Sequence, residues 1–448
     1  MVVNPPVSSQ TASPPSLLLT EQQQAAVRAL QHFLSDDEKK LFLLAGYPGT
    51  GKSTTIVQVV RLLIAGAGLK VVLTAPTNKA VAVLKQIASE QGLRVDCMTI
   101  HQLLGLSLVK RGKEKALERT SPSYLELFDL VVIDECSMVN QDLWNWIQQS
   151  VCNLWSRTKI VLMGDPAQLN PVNELKSPSF SVPDKTILTQ VVRQNDGNPL
   201  LSVLKRCRQA NKQRSPFQPL MHTTEDRQGG MVLVSPTMML KYACKRVQDF
   251  EQQPNRFRIL CWTNKRVDYY NRLLRRQLYS NHVPRFQVGE RLITTESAIA
   301  PDGKTVVLPT SIEFTITNIE EQRYEGYRTW CLTVLPEGYE AERQLYVLHE
   351  DEQLRFGSES QRLSNDAKRN PFLWRRYYRH LETFAQVRPC FALTVHNSQG
   401  STFEEVGIDG NDLRKRLRDG TRSSIREYNR LFYVGASRAR RRVLVAWS

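Results

Sequence analysis

The segment Gly46–Ser53 has the residue types and spacing of a phosphate-binding loop. It reads Gly-Tyr-Pro-Gly-Thr-Gly-Lys-Ser and fits the pattern G-x-x-x-x-G-K-[ST] at every fixed position. The backbone N–H groups of such a loop surround the β- and γ-phosphates, Lys52 adds a positive charge, and the Ser53 hydroxyl binds Mg²⁺. The alternative is a glycine-rich turn without a ligand. The residues predicted to contact the nucleotide are Gly46, Pro48, Gly49, Thr50, Gly51, Lys52, Ser53 and Thr54.

The segments on either side of this loop favour a nucleotide site over a chance match. Residues 41–45 are apolar and suit a buried strand, and in residues 54–64 the apolar side chains recur at helical spacing. A strand, a glycine-rich loop and a helix form the arrangement in which loop N–H groups and a helix N-terminus bind phosphate. The sequence therefore predicts a nucleoside triphosphate site.

Two carboxylates follow a second apolar stretch. Residues 130–133 lead into Asp134 and Glu135, an arrangement in which one carboxylate holds the Mg²⁺ shell and the other orients or deprotonates the attacking water. We expect Asp134 to bind the metal together with Ser53, and Glu135 to act as the base. Two solvated loop carboxylates are the alternative, but the phosphate-binding loop upstream favours the catalytic interpretation.

A further strand end and two arginines could complete this chemistry. Asp165 and Gln168 follow the apolar residues 159–163, and could sense the γ-phosphate because ligands lie at the carboxyl ends of parallel strands. Taken alone, an ordinary Asp-Pro turn is an equal alternative. Phosphoryl transfer also needs positive charge near the transition state, for which Arg193 and Arg438 are candidates. On the residues alone, each arginine is more often a surface charge.

The charge of the chain points to a polyanionic partner. Its 448 residues, enough for two to four domains, carry 60 Lys+Arg against 44 Asp+Glu, a net charge of +16. Residues 414–442 alone hold 11 basic and two acidic side chains, which is +9. A charge run is usually a solvated face, but in a chain that is basic elsewhere it favours phosphate contacts.

The eight cysteines show neither C-x-x-C pairs nor paired Cys/His spacing, which argues against a zinc site and a disulfide framework. A reducing compartment is therefore expected. We find no apolar run of about 18 residues and no opening signal sequence, so we expect a soluble, cytoplasmic protein without a membrane partner.

Strand-like and helix-like segments alternate in two parts of the chain. Residues 1–17 contain four prolines and predict a disordered tail. From residue 41, strands alternate with helices, as is typical of a parallel sheet covered on both faces. A second set begins at residues 258–263, and residues 286–347 are rich in short strands, which predicts a small barrel-like insertion. The charged residues 109–117 predict a protruding hairpin or loop.

Five further segments complete an ordered set of motifs. They are Ala75-Pro-Thr-Asn-Lys-Ala80, Thr99-Ile-His101, Thr263-Asn-Lys265, Thr394–Thr402 and Val434–Arg440. In this order the motifs resemble those of superfamily 1 DNA helicases, most closely the Dda-like and RecD-like branch that moves 5′→3′ on single strands. The resemblance extends from about residue 18 to the C-terminus. It departs at Cys136, where Ala is usual, and at Asn397, where Lys is frequent.

The resemblance implies roles that spacing alone does not assign. Gln23 would read the adenine of ATP, Gly400 would lie at the nucleotide, and Arg193 and Arg438 would be arginine fingers. Gln168 would belong to the motif Gly164–Gln168, which follows the apolar residues 159–163. The residues that would contact nucleic acid are Pro76, Thr77, Thr99, His101, Asn264, Thr394, His396 and Ser398.

The resemblance also implies a fold. The expected class is α/β, with two RecA-like P-loop domains built on parallel sheets, a pin hairpin insert and an SH3-like β-barrel insert. The first domain would span residues 18–200 and contain the pin at about 106–124. The second domain would consist of residues 201–285 and 388–448. The SH3-like insert, which includes an aromatic helix, would span residues 286–387. Leu117 is a candidate apolar contact of the pin, where an aromatic side chain would stack better. Trp374, Tyr377 and Tyr378 could stack on bases or form core.

The predicted function is ATP-dependent translocation on single-stranded DNA with unwinding of forked duplex DNA. The sequence leaves two alternatives open. One is an ATP-gated translocase or remodeller that does not separate strands, which is supported by the absence of an aromatic side chain at Leu117 of the pin. The other is an RNA helicase. A metabolic P-loop kinase is disfavoured by the basic segment 414–442 and by the second α/β part. The polarity follows only from the resemblance, and protein partners are not predicted.

Overall fold

The protein is described by a computed structural model for residues 19–111, 114–151, 156–171, 174–190, 198–279, 284–300, 302 and 305–448. The predicted tail of residues 1–17 and the candidate finger Arg193 lie outside these residues. Among the described helices, none combines the length and apolar character needed to span a bilayer.

The first part of the chain builds one parallel sheet. Its elements are α1 (Glu21–Ser35), β1 (Leu41–Gly46), α2 (Lys52–Ala67), β2 (Val71–Ala75), α3 (Asn78–Glu90), β3 (Asp96–Thr99), α4 (Ile100–Leu104), β4 (Leu106–Arg111), β5 (Glu114–Arg119), β6 (Leu130–Ile133), α5 (Gln141–Val151), β7 (Lys159–Gly164) and β8 (Lys185–Leu188). The strand order is β3-β2-β6-β7-β1-β8, and all neighbours run parallel. The central strands are apolar and buried because both faces are covered.

This topology gathers the predicted chemistry at one edge. The phosphate-binding loop follows β1, Asp134 follows β6, and Asp165 follows β7. Since β1, β6 and β7 are parallel neighbours in the sheet, their carboxyl ends meet there. Strands β4 and β5 are not part of the sheet; they form a separate antiparallel hairpin between α4 and β6.

The second part begins after residue 198 and is interrupted by an insert. Before the insert lie α6 (Leu200–Gln213), β9 (His222–Thr223), β10 (Gly230–Val234), α7 (Pro236–Arg246), β11 (Phe257–Cys261) and α8 (Asn264–Tyr279). The insert holds β12 (Arg291–Thr294), β13 (Ala298–Ile299), β14 (Val306–Leu308), β15 (Glu313–Tyr324), β16 (Tyr327–Pro336), β17 (Arg343–Leu348), α9 (Gln353–Arg369), α10 (Trp374–Leu381) and β18 (Val387–Pro389). After it come β19 (Ala392–Thr394), β20 (Phe403–Asp409), α11 (Gly410–Arg414), α12 (Arg422–Ser437) and β21 (Ala439–Ala446).

The second sheet has the strand order β19-β11-β20-β21-β10-β9 and is parallel except at one edge. There the two-residue strand β9, which the sequence did not indicate, pairs antiparallel with β10. The physical reason is the connection: only residues 224–229 join the two strands, and a parallel crossover needs a dozen residues or more. The α/β class with two such sheets is otherwise as predicted.

The insert combines a β-sheet with a helical hairpin. Strands β17-β16-β15-β12-β18 form a five-stranded antiparallel sheet, and β13 pairs with β14 beside it. Helices α9 and α10 pack together as a hairpin between β17 and β18. The sequence indicated the aromatic helix α10 but not α9. Short 3₁₀ helices occur at Leu125–Leu127, Cys136–Met138, Pro178–Ser181, Val247–Asp249, Glu350–Glu352, Pro371–Leu373 and Lys415–Leu417.

One buried carboxylate joins the insert to both α/β parts of the chain. Glu313 of β15 accepts Arg258 Nη2 of β11 at 2.6 Å and Arg291 Nε of β12 at 2.9 Å, and lies 3.3 Å from Lys79 Nζ of α3. Burial opposes ionisation of Glu313, but Arg258, Lys79 and Arg291 outweigh it and hold the pKa of the carboxyl well below its usual range. Three parts of the chain therefore share this ion-pair cluster.

Substituting Glu313→Gln is expected to lower the free energy of unfolding by about 3–5 kcal/mol. The reason is that Arg258 is fully buried and would keep its charge without a carboxylate partner. Chemical denaturation checks this. Glu321→Gln is the matched control, since its pair with Arg328 is exposed and its loss should shift the midpoint far less. Equal shifts for the two variants would contradict the importance of the cluster.

Candidate functional site

The phosphate-binding loop is shaped by two glycines and one glutamine. Gly49 and Gly51 have φ of 79° and 78°, the left-handed region that glycine adopts most readily. The Gln23 side chain is buried; its Nε2 donates to the Thr50 carbonyl at 3.1 Å, and its Oε1 accepts the Thr20 N–H at 2.9 Å. Gln23 therefore supports the loop, a contact that sequence reasoning did not predict, in addition to its proposed role at adenine.

The loop's lysine and hydroxyl lie at the start of α2. Lys52 Nζ donates to the carbonyls of Gly46 at 2.8 Å and Tyr47 at 3.3 Å. Ser53 and Thr54 occupy the first turn of α2, half-buried, where free N–H groups and the helix dipole favour an anion. The segment thus presents a cation, hydroxyls and N–H groups, as a bound polyphosphate requires.

The carboxylate pair has an unusual backbone and raised pKa values. The Glu135 N–H donates to Asp134 Oδ1 at 2.8 Å. Glu135 has φ of 51° and ψ of 40°, a left-handed conformation that costs a non-glycine residue on the order of 1–3 kcal/mol. Burial, and next the Asp134 charge, raise the pKa of Glu135 to about 7, although Arg438 and Lys52 oppose the rise. A carboxyl with a pKa near neutrality is suited to accepting a proton from water.

Asp165 connects the first sheet to the second part of the chain. Its fully buried side chain accepts the Ala167 N–H at 2.8 Å and the Tyr433 Oη–H of α12 at 2.7 Å. Burial raises the pKa of Asp165, while Lys52 and the Tyr433 hydrogen bond oppose the rise. The buried Gln168 Oε1 accepts Ser137 Oγ at 3.4 Å. The structure thus brings Gln168 next to the segment that follows Glu135.

A second residue of α12 binds the same loop. Arg430 donates from Nη1 to the Gln168 carbonyl and to Asn170 Oδ1, and from Nη2 to the Pro166 carbonyl at 3.4 Å. Burial, and next the Arg426 charge, lower the pKa of Arg430 to about 10. The sequence analysis included Arg430 only in the basic segment 414–442. Nothing else in the sequence indicated that Arg430 contacts the loop after β7.

Arg438 ends α12 and is almost completely buried. Its Nε donates to the Val434 carbonyl and its Nη1 to the Ser401 carbonyl, both at 3.3 Å. Its charge also acts on Glu135, whose pKa it lowers. An arginine from the second sheet thus lies within electrostatic reach of the first sheet's acidic pair. Its proposed partner finger, Arg193, lies outside the described residues.

Arg208, in the second part of the chain, contacts the phosphate-binding loop of the first part. The sequence analysis did not predict this contact. The Arg208 guanidinium of α6 lies 3.9 Å from the centroid of the Tyr47 ring, inside the phosphate-binding loop. It also lies 5.7 Å from the centroid of the Tyr433 ring. Contacts of this kind are worth about 0.5–2 kcal/mol. Tyr47 occupies a variable position of the loop pattern, so the pattern gave no signal for it.

The candidate nucleic-acid residues fall into two groups. Pro76, Thr77 and His101 are half-buried and Asn264 and His396 are exposed, so these five can reach a ligand. Burial lowers the pKa of His101, which favours its neutral form. The other three are buried and bonded within their own segments: Thr99 Oγ1 accepts the Gln102 N–H, Thr394 Oγ1 accepts the Asn397 N–H, and Ser398 Oγ donates to the Val395 carbonyl.

Two other predicted residues, Leu117 and Gly400, contact the first part of the chain. Leu117, opposite Leu108 in the β4–β5 hairpin, is half-buried and packs on the apolar core of the first sheet. Its side chain is directed toward that core, which does not favour a strand-separating contact. Gly400 has φ of 77°, and a Cβ there would lie 3.7 Å from the Ala80 backbone. Gly400 thus lies where the second part contacts α3.

Comparison with known proteins identifies two family matches. A family model described as an AAA domain matches residues 18–222, and one described as a UvrD-like helicase C-terminal domain matches residues 389–446. An uncharacterized protein of Acanthamoeba polyphaga mimivirus is 24% identical over 92% of this chain and 97% of its own. The ATP-dependent DNA helicase dda of Enterobacteria phage T4 is 24% identical over 90% of this chain and 94% of its own.

Solved structures show the same fold. A Pif1 helicase structure described as unwinding forked dsDNA superposes with a TM-score of 0.53 at 17% identity, covering 96% of this chain and 92% of that one. Bacteroides Pif1 in complex with ADP-AlF3 and ssDNA gives a TM-score of 0.51 at 17% identity, again over 96% and 92%. The two six-stranded sheets of this chain are therefore a Pif1-like pair of RecA-like domains. The domain boundaries and the SH3-like character of the insert stay predictions.

Proposed function

We propose that this chain, a member of the superfamily 1 helicases of the Dda and RecD type, is an ATP-dependent DNA helicase. It translocates on single-stranded DNA, in the 5′→3′ direction, and unwinds forked duplex. The observation that carries the proposal is the junction between the two RecA-like domains, where Arg438 and Tyr433 act on Glu135 and Asp165 of the phosphate-binding sheet. The names of the relatives, which include ATP-dependent DNA helicases of phage T4 and Deinococcus radiodurans, support it.

The nucleotide would be ATP with Mg²⁺. Ser53 and Asp134 would hold the metal, since a hydroxyl and a carboxylate oxygen are the ligands Mg²⁺ prefers. Burial raises the pKa of Asp134, and its Oδ1 accepts the N–H of Glu135, so a nearby cation would stabilise the ionised form. Bound Mg²⁺ would neutralise charge on the β- and γ-phosphate oxygens.

Hydrolysis follows from the chain's own residues. Lys52 and the loop N–H groups hold the phosphates, and the Glu135 carboxylate accepts a proton from the attacking water. Arg438 stabilises the negative charge that spreads over the transferred phosphoryl oxygens. Gln168, next to the segment after Glu135, orients the water or senses the γ-phosphate. The site is complete only when the second domain supplies its arginine, so turnover depends on how the two domains meet.

Movement on the strand uses the same junction. Thr77 and His101 of the first domain and Asn264 and His396 of the second are accessible and would grip the DNA backbone alternately. Nucleotide binding closes the domains and hydrolysis lets them reopen, which converts alternate grip into one-way steps. Tyr433 and Arg430 attach α12 to the loop after β7, so they would transmit this change.

Substituting Tyr433→Phe is expected to reduce the stimulation of ATP turnover by single-stranded DNA about tenfold. The change removes the 2.7 Å hydrogen bond to Asp165 across the domain junction and leaves the nucleotide-binding loop intact. Tyr428→Phe is the matched control, because it removes a buried 3.0 Å hydrogen bond from the same helix to Phe217, within the second domain. Equal stimulation in the two variants would contradict a coupling role for Tyr433.

A translocase that does not separate strands is the second candidate, and the inward packing of Leu117 favours it. Duplexes with a single-stranded tail at only one end test the proposal and distinguish the two. We expect ATP-dependent strand separation from a 5′ tail and little from a 3′ tail. Tail-dependent ATP turnover without separation on either substrate would favour the translocase. A preference for matched RNA substrates would make the enzyme an RNA helicase.

A further inference from the structure

We propose that the tip of the α9–α10 hairpin, residues 368–379, is a second nucleic-acid contact, outside the track on which the two RecA-like domains move. The inference rests on the proposed function, because it assumes that DNA is the ligand of the motor. It deepens that function by assigning a strand or duplex contact to a part of the insert that none of the helicase motifs covers.

The hairpin is anchored firmly to the insert's sheet at one end. Tyr327 of β16 donates a hydrogen bond to Glu359 of α9 at 2.5 Å. The Phe356 and His380 rings stack with centroids 4.2 Å apart, and His380 Nε2 lies 3.1 Å from Ser360 Oγ, which joins α10 to α9. These contacts fix the direction in which the hairpin projects.

The other end of the hairpin is the turn between its two helices. Helix α9 has 17 residues, so at the rise of an α-helix it is about 25 Å long. The chain turns at Pro371–Leu373 and returns as α10. Because Ser360 of α9 contacts His380 of α10, the tip begins at Lys368, about 12 Å along α9 from this anchor, and returns to it at Arg379.

The tip has the composition of a nucleic-acid surface. Residues 368–379 contain five basic and no acidic side chains. Arg375 and Arg376 are exposed, and neither forms an ion pair with a described residue. The Phe372 side chain is 92% exposed, more than that of any other large apolar residue described. The Trp374 and Tyr378 rings of α10 stack with their centroids 5.7 Å apart.

Charge and ring type together favour DNA over a protein partner. Unpaired guanidinium groups bind phosphate and release its counterions, and an exposed aromatic ring can stack on a base of any sequence. Glu350 and Asp351 lie at the anchored end of the hairpin, paired with Arg285 and Arg328, whereas Asp366, in the last turn of α9, is the acidic residue of that helix closest to the five basic side chains of the tip. The positive charge is thus concentrated at the end that projects.

The test is a triple variant, Phe372→Ala, Arg375→Ala and Arg376→Ala, in the full chain. Its affinity is measured for a single strand of about ten nucleotides, which occupies only the motor, and for a forked duplex with long arms. We expect about tenfold weaker binding to the forked duplex, a salt dependence with a log–log slope smaller by about two, and unchanged binding of the short strand. Long single strands and untailed duplexes then show which arm the tip contacts.

A double variant, Leu354→Ala and Arg362→Ala, is the matched control. It removes an apolar side chain that is 87% exposed and an arginine that is 65% exposed from α9 of the same hairpin. It should leave every affinity unchanged. Unchanged affinity of the triple variant on all DNAs would overturn the proposal and leave a protein as the occupant of the tip. Failure of the proposed function is a separate outcome, in which the unmodified chain shows no DNA-stimulated ATP turnover.

Discussion

Substituting Lys52→Ala is expected to lower ATP turnover by about a hundredfold to a thousandfold and to abolish unwinding. Lys52 is the cation at the start of α2, next to the loop carbonyls of Gly46 and Tyr47 and within electrostatic reach of Glu135. Without it, the negative charge of the γ-phosphate in the transition state loses a compensating cation of the first domain. Steady-state phosphate release in the presence of single-stranded DNA measures the effect.

Single-strand binding separates this effect from misfolding. The Lys52 variant should retain most of its affinity for single-stranded DNA, because the accessible nucleic-acid candidates Thr77, Asn264 and His396 lie elsewhere. Lys70→Ala is the control, since Lys70 is an exposed lysine just before β2 of the same sheet, and it should keep normal turnover. Hydrolysis near the unmodified rate in the Lys52 variant would contradict the assignment of the nucleotide site.

Substituting Arg438→Ala is expected to reduce DNA-stimulated hydrolysis by about a thousandfold or more. The guanidinium comes from the second domain and acts on Glu135 of the first, so its loss should affect the transition state and spare nucleotide binding. A fluorescent nucleotide analogue measures the binding and phosphate release measures the turnover.

Two further variants show whether the loss of hydrolysis in Arg438→Ala comes from the missing guanidinium or from a change in the fold. Arg438→Lys keeps a charge but cannot reproduce the fork of donors, so it should keep the fold and restore only part of the turnover. Arg441→Ala removes an exposed arginine three residues away, outside the motif Val434–Arg440, and should leave turnover unchanged. Loss of nucleotide affinity parallel to the loss of turnover would show that Arg438 acts on binding rather than on the transition state.

Local patterns in the sequence predicted the nucleotide-binding half of the site. The loop Gly46–Ser53, the carboxylates after 130–133 and the strand end at Asp165 are each specified by a short segment. A parallel sheet then brings such strand ends together without further information. This is why the edge of the first sheet could be predicted before its strand order was known.

Contacts between distant parts of the chain could not be predicted in this way. The Tyr433–Asp165 hydrogen bond joins residues 268 positions apart, and the Lys79–Glu313 pair joins residues 234 apart. No spacing rule relates such residues, because their proximity depends on how the two domains and the insert pack. The left-handed backbone of Glu135 is also set by its surroundings, since glutamate has no local preference for it.

The insert shows the same limit. Helix α9 was missed because it buries few apolar side chains, among them Leu363 and Ala367, so it lacks a strong apolar stripe. The residues around Leu117 in the sequence do not indicate whether its side chain is exposed or buried. The direction of that side chain is set by the packing of the β4–β5 hairpin on the apolar core of the first sheet. Tertiary contacts therefore decided the features that local sequence left open.

The central claim is that ATP hydrolysis at the domain junction is coupled to a nucleic-acid strand. The most direct measurement is ATP turnover by the unmodified chain titrated with single-stranded DNA at constant ATP and Mg²⁺. We predict that turnover rises at least about tenfold and saturates with strand concentration, because the strand favours the arrangement in which Arg438 completes the site. Turnover that is independent of added DNA or RNA would contradict the account.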